Sequence, residues 1–203
     1  MMKPETGSYW LASRSARRAK LLAEAGIDAA VSPAIVDDSE LDRGAGSVEE
    51  WVMGLAYLKA RSAADALREQ GHTGGLVIGA DTVCVHQSEV LGQPIDERDA
   101  RRMLEQMRGD EHDVLTGLCL IDLSSGERTI TFDRAAIRMG DITEAQVAAH
   151  LAAGAWVGKA GAYNLEEQIA AGWDVECQGD PTTVMGLPMK RLESLLALHG
   201  ACD

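Results

Sequence analysis

Apolar and polar positions along this chain switch between a two-residue and a roughly four-residue period, and the switches mark out its elements. Ser8 to Ala12 is a short apolar run that reads as a buried strand, and Ala16 to Ala25 sets Ala, Leu and Lys in helix-forming order before Gly26 stops it. Ile27 to Val31 reads as a second strand, and the acidic, Gly-bearing stretch Val36 to Gly46 as an exposed loop. From Ser47 to Leu67 the apolar residues Val48, Trp51, Val52, Leu55, Leu58, Ala63 and Leu67 recur at helical spacing, and Ser47 with Glu50 forms a capping-box signature. Gly75 to Ala80 is a continuous apolar strand that ends on Asp81; Val83 to Val85 follows, then a turn before Leu91 to Pro94. Asp96 to Met107 and Thr143 to Leu151 read as helices, while His112 to Leu123 and Thr129 to Met139 read as strands joined by a hairpin at Ser124 to Glu127. Gly154 to Gly186 is Gly-rich and reads as irregular loops lining a site, and Leu187 to His199 closes the pattern as an amphipathic helix with Pro188 in its first turn. Interleaved strands and helices of this kind predict an α/β fold, as one domain or as two lobes around a cleft.

Composition narrows the partners. With 203 residues, 46% of them apolar and 25% charged, the chain can bury a sizeable core. Its formal net charge of -13 repels nucleic-acid backbones and anionic membranes, so neither a nucleic-acid polymer nor a membrane is an expected partner. Cys84, Cys119, Cys177 and Cys202 are scattered with no C-x-x-C pair, as expected of free thiols. With no signal peptide or membrane-length apolar run to read, the reducing cytoplasm is the expected compartment.

Four places could carry chemistry. The first is the strand-to-helix turn L-A-S-R-S-A-R-R, residues 11 to 18, where a helix N-terminus with unpaired N–H groups meets the hydroxyls of Ser13 and Ser15 and the guanidinium groups of Arg17 and Arg18. Every element favours an anion such as a phosphate, although the same string also serves as a plain helix cap with arginines on a solvated face. The second is G-A-D-T, Gly79 to Thr82: a carboxylate at the end of a core strand, beside small residues that leave room for a ligand, can hold a divalent cation or deprotonate a water, or simply form a turn. The third is the acidic pair Asp37-Asp38 and the fourth is Lys59 on the long helix; solvated loop acids and a snorkelling lysine are their ordinary readings. The stretch Gly158 to Tyr163 has no recognised phosphate-loop spacing.

Taken in order, L-A-S-x-S-x-R-R-x-x-L-L at the start, A-x-x-K-A at Ala56 to Ala60, G-A-D-T-V at Gly79 to Val83, L-G-x-P at Leu91 to Pro94, H-x-V-x-T-G at His112 to Gly117, K-A-G-A-Y at Lys159 to Tyr163 and V-x-G-L-P at Val184 to Pro188 resemble the Maf family of nucleoside triphosphate pyrophosphatases, from about Tyr9 to Leu196. The resemblance implies a single domain over 1–203 related to inosine triphosphate pyrophosphatases, with an elongated mixed sheet, flanking helices and two lobes around a nucleotide cleft. It implies hydrolysis between the α- and β-phosphates with Mg2+ or Mn2+, a house-cleaning role in the cytoplasm, and a homodimer. Carried over by motif, Ser13, Arg17, Arg18 and Lys59 hold phosphate oxygens, and Asp81 is the base or the metal-bound carboxylate.

Four departures from the family pattern matter. Ala16 replaces a proline at the helix start, and Asp38 shortens an acidic side chain that would reach the metal. Gln93 replaces a lysine, which removes a positive charge from the phosphate site while keeping a hydrogen-bond donor. Glu166 stands where many members have a glutamine, and Gly179 to Thr183 replaces a Gly-Asp-Tyr-x-Asn pattern. A carboxylate at Glu166 accepts only and so suits a guanine, as in the branch associated with 7-methylguanosine triphosphate; Thr82 resembles the branch that prefers dTTP and UTP. The balance between these two base-recognition signals lies slightly toward a guanine-type base. The Gln93 and Glu166 changes also leave open a nucleotide-binding regulator, linked to cell division, that performs no chemistry.

Overall fold

The computed structural model describes residues 9–34, 36, 41 and 43–200. Among these the chain runs β1 (Tyr9–Leu11), α1 (Ala16–Glu24), β2 (Ala29–Val31), α2 (Val48–Glu69), β3 (Leu76–His86), β4 (Glu89–Leu91), α3 (Glu97–Met107), β5 (Glu111–Asp122), β6 (Arg128–Met139), α4 (Glu144–Ala152), α5 (Leu165–Ala170), β7 (Val175–Gln178), α6 (Pro181–Val184) and α7 (Met189–Gly200), with one 3-10 turn at Ala160–Ala162. The strands form a mixed sheet in the order β2-β1-β3-β5-β6-β7, with β4 pairing β3 off that path. β1 is parallel to β2 and β3, whereas β4 is antiparallel to β3 and β7 to β6. The α/β class is the one the residue pattern predicts, and the mixed sheet with flanking helices is the one the family resemblance implies.

Two compact units divide the chain. Unit 1 comprises Met1–Asp81, Thr116–Asp133 and Gly186–Asp203; unit 2 comprises Thr82–Leu115 and Arg134–Met185.

Unit 1 is organised by α2. Its start is fixed by a complete capping box, in which the Glu50 N–H donates to Ser47 Oγ at 3.1 Å and the Ser47 N–H donates to Glu50 Oε2 at 2.9 Å. The face it buries is made of small side chains, Ala56, Ala60, Ala63 and Ala64, beside Val52 and Leu67. Glycines face them from the strands: a Cβ on Gly79 would lie 2.4 Å from the Ala56 carbonyl oxygen, and one on Gly117 would lie 2.1 Å from that of Val52. The helix therefore lies directly on β3 and β5, closer than any side chain would permit.

Unit 2 packs with bulk instead. Met103, Leu104 and Met107 of α3 are buried with Leu91, Ile137, Met139, Tyr163 and Trp173. The α3 N-terminus is capped by Asp96, whose Oδ1 accepts from the Asp99 N–H at 2.8 Å.

Two local expectations differ from the structure. Asp81 does not end a strand: β3 continues unbroken to His86, so Val83 to Val85 belong to the same element. Gly154 to Gly186 is not irregular, since it holds the 3-10 turn, α5, β7 and α6, each too short for periodicity to reveal.

Candidate active site

β1 brings the chain up beside β3 with Leu11 opposite Ile78, and the Ala12 N–H extends the ladder by donating to the Ile78 carbonyl at 2.8 Å. The chain then turns on its two serines. The Ser15 N–H donates to Ser13 Oγ at 3.1 Å, and Ser15 caps α1 by accepting from the Arg18 N–H at 3.5 Å. The cap reading is thus correct for Ser15, but a hydroxyl that accepts still has its own O–H to donate, so capping and anion binding are compatible. No acidic residue occupies the first turn of α1, which leaves the positive end of the helix dipole uncompensated there.

Arg18 closes the turn. Its Nη1 donates to Ser13 Oγ at 3.2 Å and its Nε to the Gly186 carbonyl at 2.6 Å. Burial lowers its pKa from the ordinary value, the charge of Asp81 raises it and that of Arg17 lowers it. A desolvated guanidinium in the field of a carboxylate and a second guanidinium is poised for anionic oxygen.

Asp81 is 7% exposed. Alternation along β3 puts Val77, Gly79 and Asp81 on one face. Because Gly79 admits α2 onto that face, Lys59, which sits between Ala56 and Ala60 in the chain, reaches Asp81: its Nζ forms an ion pair with Oδ1. The side chains of Lys59 and Asp81 are 21% and 11% exposed. The glycine beside Asp81, read from sequence as room for a ligand, therefore serves the close approach of the helix. Ser13, Ser15, Arg17, Arg18, Lys59 and Asp81 all belong to unit 1.

For a divalent cation the donor chemistry fits. Mg2+ is commonly held by one or two carboxylates together with substrate phosphates, and Asp81 supplies one hard oxygen ligand. Among the described residues no group of three His, Cys, Asp or Glu side chains is arranged to hold a metal. Asp37 and Asp38 lie outside the described residues.

The remaining predicted residues belong to unit 2. Thr82 is half-buried on β3, Gln93 is exposed after β4, and Glu166 is exposed in the first turn of α5. The Gly161 N–H donates to the Gly92 carbonyl at 3.0 Å, which ties the Gln93 loop to the turn before α5. Asn164 caps α5 by accepting from the Glu167 N–H at 3.0 Å, and Glu167 pairs with Lys159. A first-turn carboxylate at Glu166 complements the α5 dipole whether or not it meets a ligand.

Some residues of consequence carried no role in the sequence reading. Gly186 holds Arg18 through a carbonyl 168 residues away, and nothing local signals that pairing. His112 Nε2 lies 2.7 Å from the Tyr163 hydroxyl, with the rings edge to face; burial brings the imidazole pKa down to about 4. Their motifs, H-x-V-x-T-G and K-A-G-A-Y, were visible, but not their contact.

A serine-arginine turn at a helix start, next to a strand that carries a buried carboxylate paired with lysine, is the apparatus of an α/β protein that handles anionic ligands. The Maf-like protein family model matches residues 8–199, and the chain belongs to the Maf family. It is 36% identical over 193 residues to a dTTP/UTP pyrophosphatase of Moorella thermoacetica, covering 94% of each chain. It is 37% identical over 197 residues to one of Rhodopirellula baltica, covering 95% of this chain and 82% of that one, and 32% identical over 186 residues to one of Ruminiclostridium cellulolyticum, covering 92% and 93%.

Proposed function

We propose that this chain is a nucleoside triphosphate pyrophosphatase that cleaves dTTP or UTP between the α- and β-phosphates, giving the monophosphate and pyrophosphate, with Mg2+ or Mn2+. The observation that carries this reading is the Asp81–Lys59 pair beside the Ser13 to Arg18 turn within one unit. The names of the relatives support the pyrimidine substrates, and Thr82 agrees with them. The guanine-type preference suggested by Glu166 gives way, because an exposed first-turn glutamate has a sufficient role in its own helix.

In this mechanism Ser13, Ser15, Arg17 and Arg18 hold the phosphate oxygens with hydroxyl, guanidinium and helix N-terminal donors. Lys59 neutralises phosphate charge as a point cation, and the Gln93 amide offers a further, uncharged donor. Asp81, with Asp38, would hold the cation, which when bound neutralises charge on the reacting phosphates; Asp81 Oδ also accepts the proton of the attacking water. Catalysis then rests on positioning and on charge neutralisation, as phosphoryl chemistry requires. Among the described residues no helix is long and apolar enough to cross a membrane, and the nucleotide pool of the cytoplasm is the proposed place of action. A homodimer goes with the family reading and is checked by light scattering.

Pyrophosphate release should be measured over dTTP, UTP, GTP, 7-methyl-GTP and 5-methyl-UTP with Mg2+ or Mn2+. The expected result is turnover of dTTP and UTP, reduced about 10²–10⁴-fold per folded molecule in Asp81→Asn. A folded protein that turns over none of them sinks the proposal, and tight binding without product would favour the regulator.

A further inference from the structure

The Lys59–Asp81 ion pair ties two residues to which the proposed reaction gives separate duties, one toward phosphate and one toward a cation. Both side chains are largely withdrawn from water, and Asp81 feels the charge of the half-buried Arg18 guanidinium as well. A carboxylate in this position is already neutralised from inside the protein. A divalent cation that approaches Asp81 alone has to displace an ammonium group and then sit beside it, in a region where water screens poorly.

We infer that Lys59 is a built-in stand-in for the metal: it holds the Asp81 carboxylate while no nucleotide is bound and keeps cation affinity low until a polyphosphate arrives to draw its ammonium group away. The polyphosphate brings oxygens for Lys59 and oxygens for the cation at once, so release of Asp81 and entry of the metal are coupled. A free cation then gains no lasting hold on the carboxylate, and the metal enters together with the triphosphate. Asp81 is meanwhile never left as an uncompensated buried charge. The close approach of α2 at Gly79 is what lets a side chain from the helix reach the carboxylate at all. This inference rests on the site reading given above, in which Asp81 is a metal ligand.

Its test needs no turnover. Mn2+ is titrated into the full chain without nucleotide, with free ion followed by electron paramagnetic resonance, for wild type, Lys59→Gln and the double variant Lys59→Gln/Asp81→Asn. The expected result is Mn2+ affinity at least about tenfold higher in Lys59→Gln, the scale on which a neighbouring unit charge shifts the proton affinity of a carboxylate. The double variant should lose that gain. A non-hydrolysable α,β-methylene dTTP should strengthen Mn2+ binding by a larger factor in wild type than in Lys59→Gln. Lys59→Met provides the same comparison should the glutamine variant fold poorly, and Mn2+ should raise the melting temperature of either variant more than that of wild type. Equal or weaker Mn2+ binding after loss of the lysine overturns the inference, as does a gain that survives in the double variant. A substrate screen with no turnover would instead remove the pyrophosphatase reading while the Mn2+ result stood, so the two failures are separable.

Discussion

In unit 1, α2 meets its strands through alanines and glycines; in unit 2, α3 meets its surroundings through Met103, Leu104 and Met107. The first interface has no adjustable parts. With Ala56 and Ala60 against Gly79, and Val52 against Gly117, the height of the helix above the sheet is set by backbone, and a lysine on that helix can be aimed at a carboxylate on that strand. The second interface is filled by flexible thioethers and rings, which suit an irregular space but fix position less sharply. Unit 1 should therefore be intolerant of added volume, and unit 2 of lost volume.

Gly117→Ala tests this contrast most severely. Its new methyl would meet the Val52 carbonyl at 2.1 Å, and because the obstacle is backbone the loss should exceed about 3 kcal/mol, the usual ceiling for overpacking. A urea midpoint close to wild type would show that α2 can lift without penalty and would end the comparison. Met107→Ala makes the opposite change in unit 2, where the side chain is fully buried, and should lower stability by about 3 kcal/mol in the same measurement. Turnover per folded molecule should survive Met107→Ala better than Gly117→Ala, because only the glycine sets the reach of Lys59.

A smaller effect sets the units apart by pH. His112 in unit 2 is 4% exposed, and burial brings its pKa down to about 4 from the ordinary 6.5; burial lowers the pKa of His150 as well. Between those two values the unfolded chain takes up a proton that the folded chain refuses, so stability falls as the pH falls. From pH 7 to pH 5 the loss through His112 alone should be about 2 kcal/mol. Urea midpoints over that range should slope less in His112→Gln, and an identical slope would assign the effect to other groups.

The main elements of unit 1 are legible in the sequence, as are α3 and α4 in unit 2, whereas the short elements of unit 2 are not. The capping box of Ser47 and Glu50, the helical spacing of α2 and the apolar run of β3 are local patterns, and each produced its element. The serine-arginine turn was equally plain, since caps and anion sites draw on the same few residue types. The role of Gly79 is not legible, because a glycine beside an aspartate looks the same in sequence whether it admits a ligand or, as here, a helix. In unit 2 the 154–185 segment builds elements of three to six residues, whose caps, such as Asn164 and Asp180, lie amid many other polar residues. The His112–Tyr163 contact joins residues 51 apart, and pairings of that kind leave no periodic trace.

The Arg18–Gly186 hydrogen bond also bears on how the protein comes into being. When a ribosome makes the chain, Ser13, Ser15 and Arg18 emerge well before the carbonyl that completes their turn, which lies 168 positions beyond Arg18. Unit 1 is interrupted twice by stretches of unit 2, so its earliest segment has to wait for its latest before Arg18 is held on both sides. Closing so long a loop is entropically unfavourable and slow compared with forming the helices on either side of it. The serine-arginine turn thus waits for a segment made much later, and a product that stalls before Gly186 would carry every serine and arginine of the turn without a finished place for an anion.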